Sequence, residues 1–296
     1  LPDQPEVRHG VEFLLDVSQL RWKLWQKAKQ EPKFRFYALY DRIYRFDVLT
    51  VAWWLVWHNN GAPGIDGMSC TDIIDGPGAT QFLKDLQEEL RTRRYQAQAV
   101  KRVYIPKADG KQRPLGIAAL EDKIVQQAVV TVLTPIYEAN FLGFSYGFRP
   151  GRNQHQALDA VVVGIQTKRV NWVLDADIKA FFDTVDHAWM MRFLEHRIGD
   201  TRVLRLIRKW LTAGVVENGN KTDVRVGTPQ GAVILPLLAN IYLHYVFDLW
   251  AHRWRGRHAR GDVMIVRCAD DSVLGFESKS DVDRFLEDMK VRFAQF

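Results

Sequence analysis

Two apolar, β-branched runs, Val263–Val266 and Val273–Phe276, lie so close in sequence that a tight turn joins them, and that turn carries Asp270 and Asp271. Such a pattern reads as a hairpin with both acids held at its tip. A third strand-like run, Trp172–Ala176, ends at Asp177 and can bring its carboxylate opposite the turn. Acids at the ends of buried strands are costly unless a cation compensates them. With no matching set of cysteines or histidines, the all-oxygen donors suit Mg2+ or Mn2+ rather than zinc.

At 296 residues the chain is long enough for two domain-sized units. The net charge is +6, and the cations cluster: Arg91, Arg93, Arg94, Lys101, Arg102, Lys107, Lys111 and Arg113 form one group, and Arg253, Arg255, Arg257, His258 and Arg260 another. Concentrated positive charge suits a polyanionic partner, through counterion release on neutralising phosphates. Cys70 and Cys268 are the sole cysteines, so no disulfide framework is expected. The longest apolar stretch, Val48–Trp57, is too short to span a bilayer, and no signal-peptide layout opens the chain. These features predict a cytoplasmic, reducing setting without membrane association. A start at Leu1 and a stop at Phe296 within an amphipathic pattern suggest a fragment.

Periodicity divides the rest. Residues 1–46 read as a mostly helical extension, and Asp47 as the cap of a helix running to His58. Helices are expected over Ala79–Arg93, Asp122–Ala139, Gln154–Gln166, Thr201–Leu211 and Pro236–Trp250, with Asp186 capping one around Trp189. Val100–Pro106 and Gln112–Ile117 form a hairpin around Asp109-Gly110. Helices and strands alternate without a strict βαβ rhythm, which predicts an α+β fold.

Three carboxylates in this arrangement suit two divalent ions about 3.5–4 Å apart, one activating an attacking hydroxyl and one the leaving group. Four further segments flank them in order: Asn60-Gly-Ala-Pro-Gly-Ile-Asp-Gly67, Lys111-Gln-Arg-Pro-Leu-Gly-Ile117, Ser145-Tyr-Gly-Phe-Arg-Pro-Gly-Arg152, and Gly227-Thr-Pro-Gln-Gly231 with Pro236-Leu-Leu-Ala-Asn-Ile-Tyr-Leu243. Together they resemble the reverse transcriptase domain of bacterial group II intron-encoded proteins, from about Phe46 onward. The resemblance implies a right-hand polymerase with fingers over 47–170 and an antiparallel, helix-backed palm over 171–296, the chain ending before a thumb.

It further implies that Asp177, Asp270 and Asp271 hold the metals, helped by the backbone carbonyl of Ile178. Phe182 would sit under the incoming sugar and favour dNTPs, while neighbouring Phe181 suits the core. Arg113, with Lys111 and Lys107, would fold over the triphosphate. Gln230 would touch the nucleotide, and Gly231 would allow close backbone approach. Gly64, Arg149 and Arg152 are placed along the template path. The implied partners are an RNA template, a DNA primer, dNTPs and intron RNA. No oligomeric state is implied.

Three positions depart from the family pattern: Cys268 stands where Tyr precedes Ala-Asp-Asp, Leu235 where a small Ser precedes the proline (with Ala232 in place of Gly), and Ser272 where a bulky apolar residue is usual. Leucine for serine adds bulk where a nascent base pair must fit, and overpacking costs ~1–3 kcal/mol. Two alternatives accompany the polymerase reading: an RNA-clasping scaffold that assists splicing without synthesis, and a group II-like reverse transcriptase serving phage defence or a CRISPR locus.

Overall fold

The computed structural model describes residues 15–106, 110–223, 226–228 and 230–296. In chain order the elements are α1 (Leu15–Gln30), α2 (Tyr40–Ile43), α3 (Phe46–Asn59), α4 (Cys70–Asp75), α5 (Ala79–Thr92), β1 (Val100–Pro106), β2 (Gln112–Ile117) and α6 (Leu120–Glu138). They continue with α7 (Gln154–Thr167), β3 (Trp172–Ala176), α8 (Phe181–Thr184), α9 (His187–Glu195), α10 (Thr201–Leu211), β4 (Val215–Glu217) and β5 (Asn220–Thr222). The last are α11 (Leu235–Leu243), a π-helical turn His244–Asp248, α12 (Leu249–Arg257), β6 (Val263–Cys268), β7 (Asp271–Phe276) and α13 (Lys279–Phe293).

Two compact units emerge, each discontinuous in sequence: residues 1–139 with 182–235, and residues 140–181 with 236–296. In the first, α6 is apolar on nearly every side, and Ile124, Val125, Ala128, Val129, Val132, Leu133 and Ile136 are buried. A helix apolar all round belongs at a centre, and α1 and α3 pack against it. Beside them runs a mixed sheet in the order β2-β1-β4-β5, in which β1 pairs antiparallel with β2 and parallel with β4.

The second unit is built on an antiparallel sheet in the order β3-β7-β6. Strand side chains alternate between faces, and β6 uses both. Val263 and Ile265 join Phe247, Trp254, Leu274, Phe276 and Phe285 in one core, while Met264 and Val266 meet Ala157 of α7 in another. The sheet is thus covered on both faces. At Gly164, a Cβ would come within 2.1 Å of the Met264 sulfur, so a larger residue there would push the Met264 side chain aside.

Several expectations need correction. In the described part of residues 1–46 most positions lie in α1 and α2, but between them the chain is irregular from Glu31 to Leu39, with an isolated bridge from Phe36 to Ile198. Asp47 does not cap α3. Arg45 occupies the cap position, and Asp47, one position inside the first turn, is gripped by the Arg45 guanidinium at 2.6 and 3.0 Å. The helix expected over Pro236–Trp250 is present but holds a π-helical turn. The short strands β4 and β5 were not expected, although Asn218-Gly219 between them is a hairpin signal. Asp109 of the expected β1–β2 turn lies outside the described residues.

Candidate active site

The acid turn is set by the register of the second unit's sheet. Cys268 pairs with Asp271, leaving Ala269 and Asp270 as a two-residue connection. Ala269 adopts a left-handed φ of 61°, the conformation tight hairpins demand. On the other side of β7, the last pair of the antiparallel register is Ala176 with Ser272, which leaves Asp177 one residue past the paired end of β3 and Asp271 one residue before Ser272 on β7. The hydroxyl of Ser272 donates to the Ala176 carbonyl at 3.3 Å and ties the two strand ends together. This accounts for the buried serine where the family pattern has a bulky apolar residue. Cys268 packs beside Ala157, Met264 and Val266 as a small apolar residue.

The electrostatics agree with acids that lie near one another. Desolvation raises the Asp271 carboxyl above the usual carboxylate range, and the charges of Asp270, Asp177 and Asp175 push it further. Repulsion of this kind is what a divalent cation relieves. Among the described residues no three His, Cys, Asp or Glu side chains close into a metal cage by themselves.

One buried cation holds the turn from behind. Arg267 on β6 is 1 % exposed. It donates to both carboxylate oxygens of Asp248 at 2.7 Å, to Asn240 Oδ1 at 3.1 Å, to the Ala269 carbonyl at 2.7 Å and to Ser145 Oγ at 2.7 Å. All five guanidinium donors are thereby used. Asn240 and Asp248 are eight residues apart, which an α-helix at 100° per residue would leave about 80° out of line. The π-helical turn between them winds more slowly, at roughly 80° per residue, and brings the two onto one face. Asn240 also donates to the Gly147 carbonyl at 2.8 Å. A Cβ on Gly147 would lie 2.2 Å from the Ala269 nitrogen, so the loop packs directly on the turn.

The two arginines of that loop turn inward. Arg149 is 6 % exposed, donates to the carbonyls of Leu142 and Ser145, and lies over the Phe141 ring. Arg152 is half-buried, reaches the carbonyls of Gly143 and Ser145, and covers Tyr146. A loop without regular structure needs donors for its carbonyls, and the burial of Arg149 supports that role rather than the expected place along a template path.

The first unit gathers the other expected residues. Phe182 is half-buried, whereas Phe181 is 5 % exposed and packs on Tyr242 within the second unit. The Phe182 carbonyl accepts from the Thr228 backbone at 2.6 Å and from its hydroxyl at 3.3 Å. Two residues on, the Gln230 carbonyl accepts from Gly116 of β2 at 2.5 Å. Gly231, at φ 111°, leaves no room for a Cβ, which would meet Gly116 O at 2.9 Å. The Gly227–Gly231 loop therefore joins the Phe182 segment to β2, and Arg113 is exposed on that strand with Lys111 just before it. Lys107 lies outside the described residues. Gly64 has a structural reason: its Cβ would sit 2.4 Å from the Ala118 carbonyl.

Sequence reasoning missed Arg267, Asp248 and Asn240. The one available signal was an arginine inside a run otherwise apolar from Val263 to Cys268.

Residues 105–296 match the model of the family described as Reverse transcriptase (RNA-dependent DNA polymerase). Protein YkfC of Escherichia coli (strain K12) is 38% identical over 252 residues, covering 83% of this chain and 65% of that protein. The Group II intron-encoded protein LtrA of Lactococcus lactis subsp. cremoris is 38% identical over 213 residues, covering 71% of this chain and 34% of that protein. This chain thus spans less than two thirds of either relative's length. Among the described residues no helix is long and apolar enough to cross a membrane.

Proposed function

The chain belongs to the reverse transcriptase (RNA-dependent DNA polymerase) family, and from that premise we propose that it copies an RNA template into DNA from a primer 3′-hydroxyl. Its fold is the fingers and palm of a right-hand polymerase. The observation that supports the reading is the sheet register, which pairs Ala176 with Ser272 and Cys268 with Asp271 and so ends β3 one residue short of Asp177, beside the turn that carries Asp270.

In this reading Asp177, Asp270, Asp271 and the Ile178 carbonyl hold two Mg2+ ions, with Mn2+ as a substitute. The ions supply Lewis acidity and neutralise charge developing on the reacting phosphate. Arg113 offers its planar fork to the triphosphate, and Lys111 adds a point charge. Phe182 places an aromatic edge where a 2′-hydroxyl would clash, selecting dNTPs, and Gln230 contacts the nucleotide. By likeness to the intron-encoded relative, the structured partner is intron RNA, and the activity supports intron mobility and splicing. The unpaired cysteines suit a reducing, cytoplasmic setting.

Primer extension on an RNA template with dNTPs and Mg2+ tests this. We expect labelled DNA from the wild-type chain and background incorporation from Asp270→Ala; equal incorporation by both sinks the assignment. The buried Leu235, where the family pattern has serine, favours the scaffold reading, which predicts RNA binding with no extension by either protein.

A further inference from the structure

A second set of side chains in the first unit is built for an anion and shares no residue with the acid turn. Tyr40, Arg93, Tyr95, Arg202, Arg205, Leu206 and Lys209 line a recess of about 80 Å3. Four are a single stripe of α10: positions 202, 205, 206 and 209 follow the three- and four-residue spacing that shares a helix face. The opposite wall is Arg93, which ends α5 in a left-handed conformation at φ 63°.

The floor is rigid. Tyr40 donates its hydroxyl to the Leu90 carbonyl at 2.8 Å. Tyr95 donates to Asp122 and accepts from the Trp210 indole at 2.9 Å. Arg202 is held by Asp200 and Asp41, and the Lys209 ammonium donates to the Tyr95 carbonyl at 3.2 Å. The guanidiniums of Arg93 and Arg205 have no hydrogen-bonded or ion-paired partner among the described residues. Four cations line the recess, against two carboxylates that Arg202 already occupies. Two forked, uncommitted donors facing a fixed aromatic floor suit a phosphate group.

From Arg202 to Lys209 the stripe runs roughly 10 Å along the helix at 1.5 Å per residue, longer than one phosphate group. Arg94 and Arg208 continue the charge around it as exposed side chains. That length favours consecutive backbone phosphates over a small anion. We propose that this recess docks the phosphate backbone of a structured RNA, with Arg93 and Arg205 as the principal contacts. The choice of RNA as the polyanion rests on the function proposed above.

The test measures the affinity of the full chain for an RNA hairpin across a series of salt concentrations. Each phosphate contact contributes a slope of about 0.9 in log affinity against log salt. Arg93→Ala/Arg205→Ala should bind about tenfold more weakly, with the slope shallower by one to two contacts. Arg93→Lys/Arg205→Lys, which keeps the charge, should recover most of the slope. Unchanged affinity and slope in the alanine variant overturn the inference, as does weaker binding with an unchanged slope. If inorganic phosphate at millimolar concentration competes with the hairpin no better than chloride at matched ionic strength, the backbone assignment stands; selective competition reassigns the recess to a free anion. A wild-type chain that binds the hairpin but extends no primer defeats the polymerase reading and leaves this one intact.

Discussion

Arg267 in the second unit and Arg202 in the first each grip a carboxylate with two parallel hydrogen bonds, yet only one of them is dry. The Arg267 and Asp248 side chains are 1% and 0% exposed. The Arg202 side chain is 28% exposed, and its outer partner Asp41 is 53% exposed. Water can replace a lost partner around Arg202 and cannot around Arg267. The same contact geometry therefore makes a rigid fastening in one unit and an adjustable surface pair in the other. That difference matches the work proposed for each: the buried pair fixes a catalytic turn through the Ala269 carbonyl, and the wet pair braces a recess that must accept a ligand.

The largest expected effect comes from breaking the buried pair. Asp248→Leu leaves Arg267 charged and uncompensated in the interior, which costs about 3–5 kcal/mol. Arg267→Met/Asp248→Leu removes both charges and should recover part of that stability, the Asn240, Ser145 and Ala269 acceptors being left without their donor. Denaturant unfolding reads both. The double variant keeps the fold but loses the donor to Ala269, so primer extension should fall at least tenfold while stability falls less than in Asp248→Leu. A stable double variant with wild-type extension would show that the fastening has no bearing on the turn.

This contrast was only half legible in the sequence. The β6–β7 hairpin and the strand before Asp177 could be read because their signals are local: β-branched runs and a two-residue turn. The cap at Asp186 is local as well, its side-chain oxygen accepting from a backbone N–H three residues on. Arg267 could not be placed in this way, since its partners lie 19, 27 and 122 residues away. Nor could the π-helical turn, whose purpose is visible only once Asn240 and Asp248 meet the same guanidinium. Asp47 was misread because an acid before an apolar run looks like a cap, when a neighbouring arginine had a stronger claim on it. For Arg149, the resemblance suggested a place along the template path that its burial does not support.

The two units should also answer acid with opposite signs. In the second, burial depresses the His244 pKa to about 4, only partly offset by Asp248. A neutral buried histidine contributes stability that is complete above its unfolded value of 6.5 and is lost as pH falls through the folded value. The full swing is roughly 3 kcal/mol. In the first unit, desolvation raises Asp122 to about 6, against the hydrogen bond from Tyr95. Its contribution is complete below 3.8 and is lost as pH rises through 6, again roughly 3 kcal/mol. Between pH 4 and 6 the two slopes largely cancel in the wild-type chain. His244→Phe should expose a protein that gains stability on acidification, and Asp122→Asn one that loses it. Melting temperature against pH checks both; parallel slopes in the two variants would break the opposition.

The smallest effect belongs to the wet pair, and its smallness is itself the prediction. Asp41→Ala removes the outer carboxylate from Arg202, which keeps two hydrogen bonds to Asp200 at 3.0 and 2.9 Å. Asp200 in turn accepts from the backbone of Leu39, Tyr40 and Arg202 at 2.9–3.0 Å, so the start of α10 stays fastened. With Asp41 more than half exposed, the expected loss is no more than about 1 kcal/mol and shrinks as salt rises. Denaturant midpoints at low and high ionic strength measure this. A loss comparable to that of Asp248→Leu would mean that burial does not separate the two arginines, and the division between a fixed fastening and an adaptable one would fail with it.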